Sequence, residues 1–311
     1  MKNVKLILFS ITFILITLSL TSCQPNQTTY HFENNNQDQI KIAAISDIHG
    51  QLEKLNQVTT YIKNNQDIKA ILVPGDLVNN EQFSKRGIKY NDKLEATKVL
   101  GLLSKTNLPI LVIPGNHENI DDYNYAIKQI KQTNDNIFNM HQTRLFQSNY
   151  FNVLSIPGYT DQRYSSKNAF IATPQYIKQT KQLTAKITNN KPTILLSHGA
   201  AKTTTKGPST TYQNQDVGNK DSKQLMQDTD INFNIAGNIH EAGGLAVDKQ
   251  NNKVEQNQLT SSLILNTGFL EDWLLLNNKQ SKGMFTILTI KENQISYETI
   301  ELEWISTHNQ N

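Results

Sequence analysis

From residue 40 onward, short apolar runs alternate along the chain with stretches of amphipathic spacing. Leu52, Leu55, Val58 and Ile62 recur at the intervals of one helix face, whereas runs such as KAILV have the length of buried strands. The pattern predicts strands at 40–45, 69–73, 109–113, 151–156, 193–196 and 231–236, and helices at 52–63, 92–103, 121–132, 174–188 and 222–227. This alternation predicts an α/β fold with parallel strands covered on both faces.

The last part of the chain has a different pattern. Residues 262–267, 284–290 and 294–302 are strand candidates without helices between them, which suggests a second sheet stacked on the first. Residues 200–217 have no periodicity and are rich in Thr and Lys. A loop of that length in a compact domain is usually functional or mobile.

The N-terminus reads as an export signal. Lys2 and Lys5 precede an apolar stretch at 6–20, which is short for a membrane span of about 20 residues. The tetrad Leu-Thr-Ser-Cys ending at Cys23 resembles the lipobox of bacterial lipoproteins. We therefore predict a signal peptide at 1–22, lipidation of Cys23 and a membrane-anchored, exported protein; an uncleaved anchor helix is the alternative. Gln24 after the cysteine favours the outer membrane or cell surface.

Composition bears on the linker, on disulfide bonds and on nucleic-acid binding. Residues 24–39 are polar and rich in Asn and Gln, which predicts a flexible tether before a domain at 40–305. Cys23 is the only cysteine, so the chain cannot form an internal disulfide. The net charge is only +3, and the predicted signal carries two of the lysines. We therefore expect no nucleic-acid partner. The sequence does not indicate an oligomeric state.

Polar side chains of one chemical kind follow the predicted strands. They are Asp47 and His49, then Asp76, then Asn116, His117 and Glu118, then His198, and finally Asn238 and His240. The carboxyl ends of parallel strands line the ligand crevice of an open α/β sheet, so these groups should converge. Four of the seven histidines belong to this array; His31, His141 and His308 are interpreted as solvated or structural.

These side chains offer the chemistry of a metal site. Carboxylates, imidazoles and an amide oxygen bind borderline divalent ions such as Mn, Fe or Zn, and no thiolate is present to favour softer ions. Residues i and i+2 of an extended segment face the same way, so Asp47 and His49 could bind one ion together. Two ions about 3.5–4 Å apart form a clamp for displacement at phosphorus.

The ordered series D-x-H, G-D, G-N-H-E, S-H and G-x-x-H resembles the calcineurin-like metallophosphoesterases over residues 40–268. The segment 216–244 is similar to a branch of small predicted phosphoesterases whose last motif reads G-H-I-H-E, followed by an Asn-x-Gly turn that Asn266-Thr267-Gly268 matches. The resemblance implies a four-layer α-β-β-α sandwich and a centre with two divalent ions.

The resemblance also implies a role for each matching residue. Asp47, His49 and His240 would hold the first ion, and Asp76 would bridge both ions. Asn116 and His198 would hold the second ion, with Asn238 at the position of its last ligand. His117 matches the family's general acid or phosphate-contacting histidine. The implied reaction is hydrolysis of a small phosphomonoester or phosphodiester by a metal-bridged hydroxide, outside the cytoplasmic membrane.

Two residues depart from the family pattern. Asn238 stands where the family usually has a histidine ligand, and Asn79 stands where many members have an aspartate that orients the catalytic histidine. Asn79 could accept a hydrogen bond from that histidine but could not stabilise its charge. These departures leave an alternative open, a catalytically weakened surface lipoprotein that binds metal or phosphate esters. A second alternative is a structural lipoprotein that binds no metal.

Overall fold

The computed structural model describes residues 26–33, 38–79, 91–204 and 206–302. The predicted signal peptide, Cys23 and His308 lie outside these residues. Among the described segments, no helix is both long and apolar enough to cross a membrane.

The strands are β1 (Asn26–Tyr30), β2 (Gln39–Ala44), β3 (Ile68–Val73), β4 (Ile110–Val112), β5 (Ile137–Asn139), β6 (Thr143–Ser148), β7 (Asn152–Ile156), β8 (Thr193–Gly199), β9 (Phe233–Gly237), β10 (Ala246–Val247), β11 (Leu263–Asn266), β12 (Trp273–Leu274), β13 (Gln280–Ser281), β14 (Met284–Lys291) and β15 (Gln294–Glu301). The helices are α1 (Leu52–Asn64), α2 (Asp92–Ser104), α3 (Ile120–Ile130), α4 (Pro174–Leu183) and α5 (Lys220–Gln227). Polar side chains cap the starts of α2 to α5, each accepting a backbone N–H in the first turn: Asn91, Asn119, Thr173 and Asn219.

Two mixed sheets form the centre of the fold. The first has the order β15-β14-β2-β3-β4-β5, and β2 to β5 run parallel. The second has the order β1-β6-β7-β8-β9-β11-β10, in which β7, β8, β9 and β11 run parallel. A separate pair, β12 and β13, lies in the segment between β11 and β14. Every parallel strand therefore directs its carboxyl end to one edge of its sheet.

Side-chain alternation divides the interior into three apolar layers. In β2, Ala43 faces the core shared with α1, α2 and α3, whereas Ile42 and Ala44 face the core between the sheets. A third core lies between the outer face of the second sheet and helices α4 and α5. The order of layers is helix, sheet, sheet, helix, so the predicted four-layer sandwich is confirmed.

The strands of the last part of the chain do not build a second sheet by themselves, and that interpretation was wrong. The hairpin β14–β15 extends the first sheet, because β14 pairs antiparallel with β2. Only β11, with its antiparallel neighbour β10, joins the second sheet. The body of that sheet is instead β6 to β9. The short strand β5 of the first sheet and β6 of the second were absent from the prediction.

The N-terminal segment also differs from its prediction as a flexible tether. Strand β1 pairs in parallel with β6, and Phe32 after it is only 6% exposed. The ring of Phe32 packs 5.7 Å from that of Phe151, and Asn149 hydrogen bonds with both the N–H and the carbonyl of Phe32. Tyr30 and Phe32 therefore bury enough apolar surface to order β1 and the residues just after it. The limits of the signal peptide stay predictions.

The loop after β8 is ordered around one carboxylate. Asp216 accepts the N–H groups of Thr203 and Gly218, both at 2.7 Å, and the hydroxyl of Ser209 at 3.0 Å. A chain segment without periodicity thus acquires a fixed shape from side-chain hydrogen bonds, in the manner of Asx turns.

The packing of β1 generates a stability prediction. Replacing Phe32 by alanine should lower the free energy of unfolding by about 3 kcal/mol, because a buried aromatic ring is lost and its space remains unfilled. Urea unfolding followed by circular dichroism measures the change. Leu259→Ala, at a side chain that is 37% exposed, should shift the free energy by less than about 0.5 kcal/mol. Equal effects of the two substitutions would contradict an ordered N-terminal strand.

Candidate metal centre

The carboxyl ends of β2, β3, β4, β8 and β9 meet at one edge of the sandwich, where the predicted site residues lie. Backbone hydrogen bonds hold the loops in register: the N–H of Asp47 donates to the carbonyl of Gly75 at 3.1 Å, and that of Ile48 to Asp76 at 2.7 Å. The predicted convergence of the five motifs is therefore observed.

The backbone of these loops is strained at the functional positions. Asp47, His49, Asp76 and Asn238 have φ angles of 50°, 44°, 54° and 73°, in the left-handed region. Such conformations cost on the order of 1–3 kcal/mol each and cluster at functional sites. Asn, Asp and His are the non-glycine residues that tolerate this region best, which helps explain their presence here.

Two glycines allow the loops to approach one another. A Cβ at Gly237 would lie 1.9 Å from the Ser46 hydroxyl and 2.1 Å from Asp47 Oδ2. A Cβ at Gly115 would lie 2.0 Å from Asp76 Oδ1. Both aspartates thus lie against bare backbone, and any larger residue would displace the carboxylates.

Asp47, His49 and His240 form the first cluster of ligand atoms. Nε2 of His240 lies 3.2 Å from Oδ1 of Asp47, and Nε2 of His49 lies 3.9 Å from the same oxygen. The three ligand atoms lie within 4.8 Å of one another. These are the residues that the resemblance assigns to the first ion.

Asp76, Asn116 and His198 form the second cluster. Nε2 of His198 lies 2.7 Å from Oδ1 of Asn116 and 3.3 Å from Oδ2 of Asp76. Oδ2 of Asp76 also lies 3.8 Å from Nε2 of His49 and 3.7 Å from Nε2 of His117. Asp76 therefore lies between the first cluster, the second cluster and His117, as a bridging ligand would.

Backbone carbonyls orient two of the imidazoles. Nδ1 of His198 donates to the carbonyl of Pro74 at 2.9 Å, and Nδ1 of His49 donates to that of Val78 at 3.1 Å. A carbonyl only accepts, so Nδ1 carries a proton in both rings and Nε2 faces the carboxylates. Histidines that ligate metal are commonly oriented in this way by a hydrogen bond from the other ring nitrogen.

The charges of the cluster favour a cation. Burial opposes ionisation of Asp76, but the imidazoles of His117 and His198 hold its pKa well below the usual range. Burial likewise opposes the charge on His198, but Asp76 raises its pKa to about 9. A proton thus occupies Nε2 of His198 in the protein alone, and a divalent ion that bound there would displace it.

The residues fit a metal centre by an independent criterion. Nε2 of His49 is buried and has no hydrogen-bond partner, although carboxylate oxygens lie 3.9 and 3.8 Å away on two sides. A buried polar atom without a partner is costly, and an ion between the three groups removes that cost. Nitrogen and oxygen ligands without thiolate suit Mn, Fe or Zn.

Glu118 connects the loops that carry the second cluster. Its carboxylate accepts the backbone N–H groups of Gly115 and Leu77, and those of Asp76 and Val78 at 3.3 and 3.2 Å. Burial, reinforced by the charge of Asp76, raises the pKa of Glu118 to about 8. Glu118, the last residue of the G-N-H-E motif, therefore fixes the backbone position of Asp76.

Asn238 lies at the site through its backbone. Its N–H donates to Oδ2 of Asp47 at 2.9 Å. Burial raises the pKa of the nearby Tyr159, and the Asn238 side chain opposes that shift. The left-handed backbone gives a physical reason for an asparagine at this position. Its role as a ligand stays a prediction.

The contacts of Asn79 differ from those considered in the sequence analysis. Its side-chain amide donates to the carbonyl of His49, and its backbone N–H donates to Glu95 at 2.7 Å. Asn79 therefore supports the loop of the first cluster. Of the histidines outside the array, His31 is exposed and His141 packs against Phe170, and neither belongs to a cluster among the described residues.

The residues that surround His240 are not among those predicted from the sequence. Nδ1 of His240 is buried without a hydrogen bond and lies 3.8 Å from Oε2 of Glu271. The rings of Trp273 and Phe269 lie 4.6 and 5.3 Å from the imidazole. All three residues follow the Asn-Thr-Gly turn at 266–268. A carboxylate just after that turn was the sequence feature that could have predicted a partner for His240.

Comparison with known proteins agrees with this geometry. Residues 40–242 match the calcineurin-like phosphoesterase family, and the chain belongs to that family. It is a phosphoesterase domain with buried His/Asp clusters that fit metal ions.

Solved structures share the fold. One crystal structure is 13% identical, covers 84% of this chain and 98% of its own, and superposes with a TM-score of 0.64. The protein TT1561 of Thermus thermophilus is 14% identical, covers 85% and 99% of the two chains, and has a TM-score of 0.56. No curated protein sequence matches the chain.

The position of Glu271 generates a prediction about metal affinity. Glu271→Gln should weaken Mn²⁺ binding by roughly 10–100-fold, because a carboxylate behind a ligating histidine fixes the ring and raises its basicity. Isothermal titration calorimetry measures the dissociation constant. Asp272→Asn is the matched control, since that half-exposed carboxylate pairs with Lys54 and Lys282 at the surface. Equal affinities in both variants would refute this role.

Proposed function

We propose that this protein hydrolyses small phosphomonoesters or phosphodiesters in a metal-dependent reaction. The observation that carries the proposal is the pair of buried carboxylates, Asp47 and Asp76, surrounded by imidazole nitrogens at 3.2–3.9 Å. When bound, two divalent ions neutralise phosphoryl oxygens and lower the pKa of water. Asp47, His49 and His240 would hold one ion, and Asn116, His198 and Asn238 the other, with Asp76 shared.

His117 is the candidate proton donor to the leaving oxygen. Its Nε2 lies 3.7 Å from Oδ2 of Asp76, and its backbone N–H donates to Oδ1 of the same residue at 3.0 Å. Burial lowers the pKa of His117, with Asp76 opposing. A lowered pKa makes the imidazolium a stronger acid toward an alkoxide, which suits protonation of a poor leaving group.

We also propose that the protein is exported and anchored to a membrane through a lipid on Cys23. The support is the sequence of the first 23 residues, with its two lysines, apolar stretch and lipobox-like tetrad. The outer membrane or the cell surface is the favoured location. The intact mass of the mature protein tests this, because a lipid on an N-terminal Cys23 adds the mass of its acyl chains, and an unmodified Met1 would refute it.

A weakened enzyme that mainly binds metal or phosphate esters is the second candidate. It rests on Asn238, whose amide oxygen is a weaker ligand than imidazole. Bound metal distinguishes both the phosphoesterase and the weakened enzyme from a structural protein without metal. The rate of ester hydrolysis then distinguishes the phosphoesterase from the weakened enzyme.

Loss of the proton donor should reduce turnover without loss of metal. We expect His117→Ala to lower kcat for glycerol phosphate, an ester with a poor leaving group, by about 10²–10⁴-fold with Mn²⁺, measured as released phosphate. Metal content measured by atomic absorption should stay near the unsubstituted value, whereas Asp47→Ala should lower both quantities. His31→Ala, at an exposed imidazole, is the control and should leave both unchanged. Full activity of His117→Ala would show that the assignment is wrong.

Restoring the family's histidine should strengthen the second site. Asn238→His should lower the Mn²⁺ concentration that gives half-maximal rate and raise the bound metal toward two ions per chain, because imidazole is the stronger ligand. Metal titration and steady-state kinetics measure the two effects, and Asn238→Ala serves as the control for loss of the amide. Unaltered metal content and rate in Asn238→His would place residue 238 outside the metal's reach.

A further inference from the structure

The strand that begins the ordered domain starts at the same edge as the metal centre. Strand β6 runs antiparallel to β7, so the start of β6 lies at the carboxyl end of β7, and β1 runs parallel to β6. Asn26 pairs with Thr143 at the start of β6. The chain therefore enters the domain at the end of the second sheet where His198 and Asn238 lie, and not at the opposite end.

The start of β1 lies a short distance across the sheet from the carboxyl end of β8. Strands β6 and β7 lie between β1 and β8, which is three strand spacings. At about 4.8 Å a spacing, the start of β1 lies roughly 14 Å from the carboxyl end of β8. Cys23 precedes Asn26 by three residues, which span at most about 11 Å when fully extended. An anchor at Cys23 would hold this end of the domain close to the lipid surface.

Exposed apolar side chains mark the same end. Among the described residues, the exposed large hydrophobic side chains on loops at this end, or in the first turn of a helix that begins there, are Leu94, Tyr164, Tyr212 and Val217. Leu259, before β11, is the exposed one at the opposite end. Two of these side chains are tyrosines, and tyrosine is enriched where proteins meet the membrane interface.

Contacts tie these side chains to the site. Leu94 precedes Glu95, which binds the N–H of Asn79 in the loop after Asp76. The Tyr164 carbonyl accepts the amide of Asn116. The N–H of Tyr212 donates to Glu241, the neighbour of His240, at 3.1 Å. The segments that carry these side chains are therefore joined to the loops of the metal centre in both sheets.

We infer that the metal centre faces the bilayer to which the chain is anchored and that its substrate is a phosphoester of a membrane lipid. The inference rests on the proposed phosphoesterase activity and membrane attachment. In the reaction, a water oxygen bonds to phosphorus and the bond from phosphorus to the lipid oxygen breaks. The attacking water loses one proton to solvent, the lipid oxygen takes a proton from His117, and solvent then reprotonates His117. A lipid monoester gives a lipid alcohol and inorganic phosphate, and a lipid diester gives an alcohol and a phosphomonoester. An anchor at Cys23 and an uncleaved anchor helix predict the same orientation.

Tryptophan quenching tests the orientation. The full chain, produced with its N-terminal segment and purified from membranes, is reconstituted into vesicles of brominated phosphatidylcholine. In a background with Trp273→Phe and Trp304→Phe, the chain carries either Leu94→Trp or Leu259→Trp. Leu94 and Leu259 are 50% and 37% exposed. We expect several-fold stronger quenching at position 94. Equal quenching, or stronger quenching at 259, overturns the inference.

Turnover tests the substrate class. The vesicles carry phosphatidic acid, a lipid monoester, or phosphatidylglycerol, a lipid diester, and nitrophenyl phosphate serves as the soluble substrate. A flexible Gly-Ser insert of about 30 residues after Gln24 should lower lipid turnover by roughly an order of magnitude, because the site loses its fixed approach. Turnover of the soluble ester should not change.

The outcomes separate the inference from the proposals beneath it. Hydrolysis of the soluble ester without hydrolysis of either lipid, or lipid turnover that is insensitive to the insert, overturns the inference and leaves the phosphoesterase proposal intact. Failure to hydrolyse any ester refutes the phosphoesterase proposal and the lipid substrate with it, while the quenching pair still reports the orientation. Recovery of the full chain only in the soluble fraction refutes membrane attachment and this inference together.

Discussion

Two ionised carboxylates buried where the strands meet are the constraint on which the rest of the site depends. Asp47 and Asp76 are 0% and 2% exposed, and burial of charge on this scale is unfavourable unless opposite charge or hydrogen bonds compensate. Imidazoles surround both groups, and backbone N–H groups of Asn238 and His117 donate to them. The site is therefore built to hold positive charge, which a proton supplies to His198 and a divalent ion supplies more fully.

The strained loops are a consequence of that constraint. Five strand ends can bring their side chains to one point only if the chain turns sharply after each strand, and left-handed backbone at Asp47, His49, Asp76 and Asn238 makes these turns. Glu118 holds three consecutive N–H groups after Gly75 and one at Gly115, so the loop shapes are fixed before any ligand arrives. The strained backbone at Asp76 is thus held directly by the Glu118 carboxylate.

The N-terminal strand couples the position of the site to the point where the chain enters the domain. Because β1 runs parallel to β6, the start of the domain and the metal centre share one end of the sandwich. Tyr30 and Phe32 at the other end of β1 pack into the aromatic cluster between the sheets. This packing fixes the direction in which the chain leaves the domain, which a flexible tether would not do.

The sequence by itself determined the elements and the chemistry. Apolar periodicity located the helices and most central strands to within a few residues, because both depend on local side-chain spacing. The motifs identified the ligand types, since metal affinity follows from side-chain chemistry, and strand-end position predicted that they meet. The four-layer order came through resemblance to a family and was confirmed by the three apolar cores.

Only the tertiary structure decided which strands share a sheet and which residues support the ligands. The hairpin β14–β15 joined the first sheet and Asn26–Tyr30 became a strand because pairing partners distant in sequence were available to them. Glu271 faces His240, and the N–H of Asn238 donates to Asp47, through contacts that join separate loops. A local pattern carries no record of such contacts, since they arise when distant segments pack together.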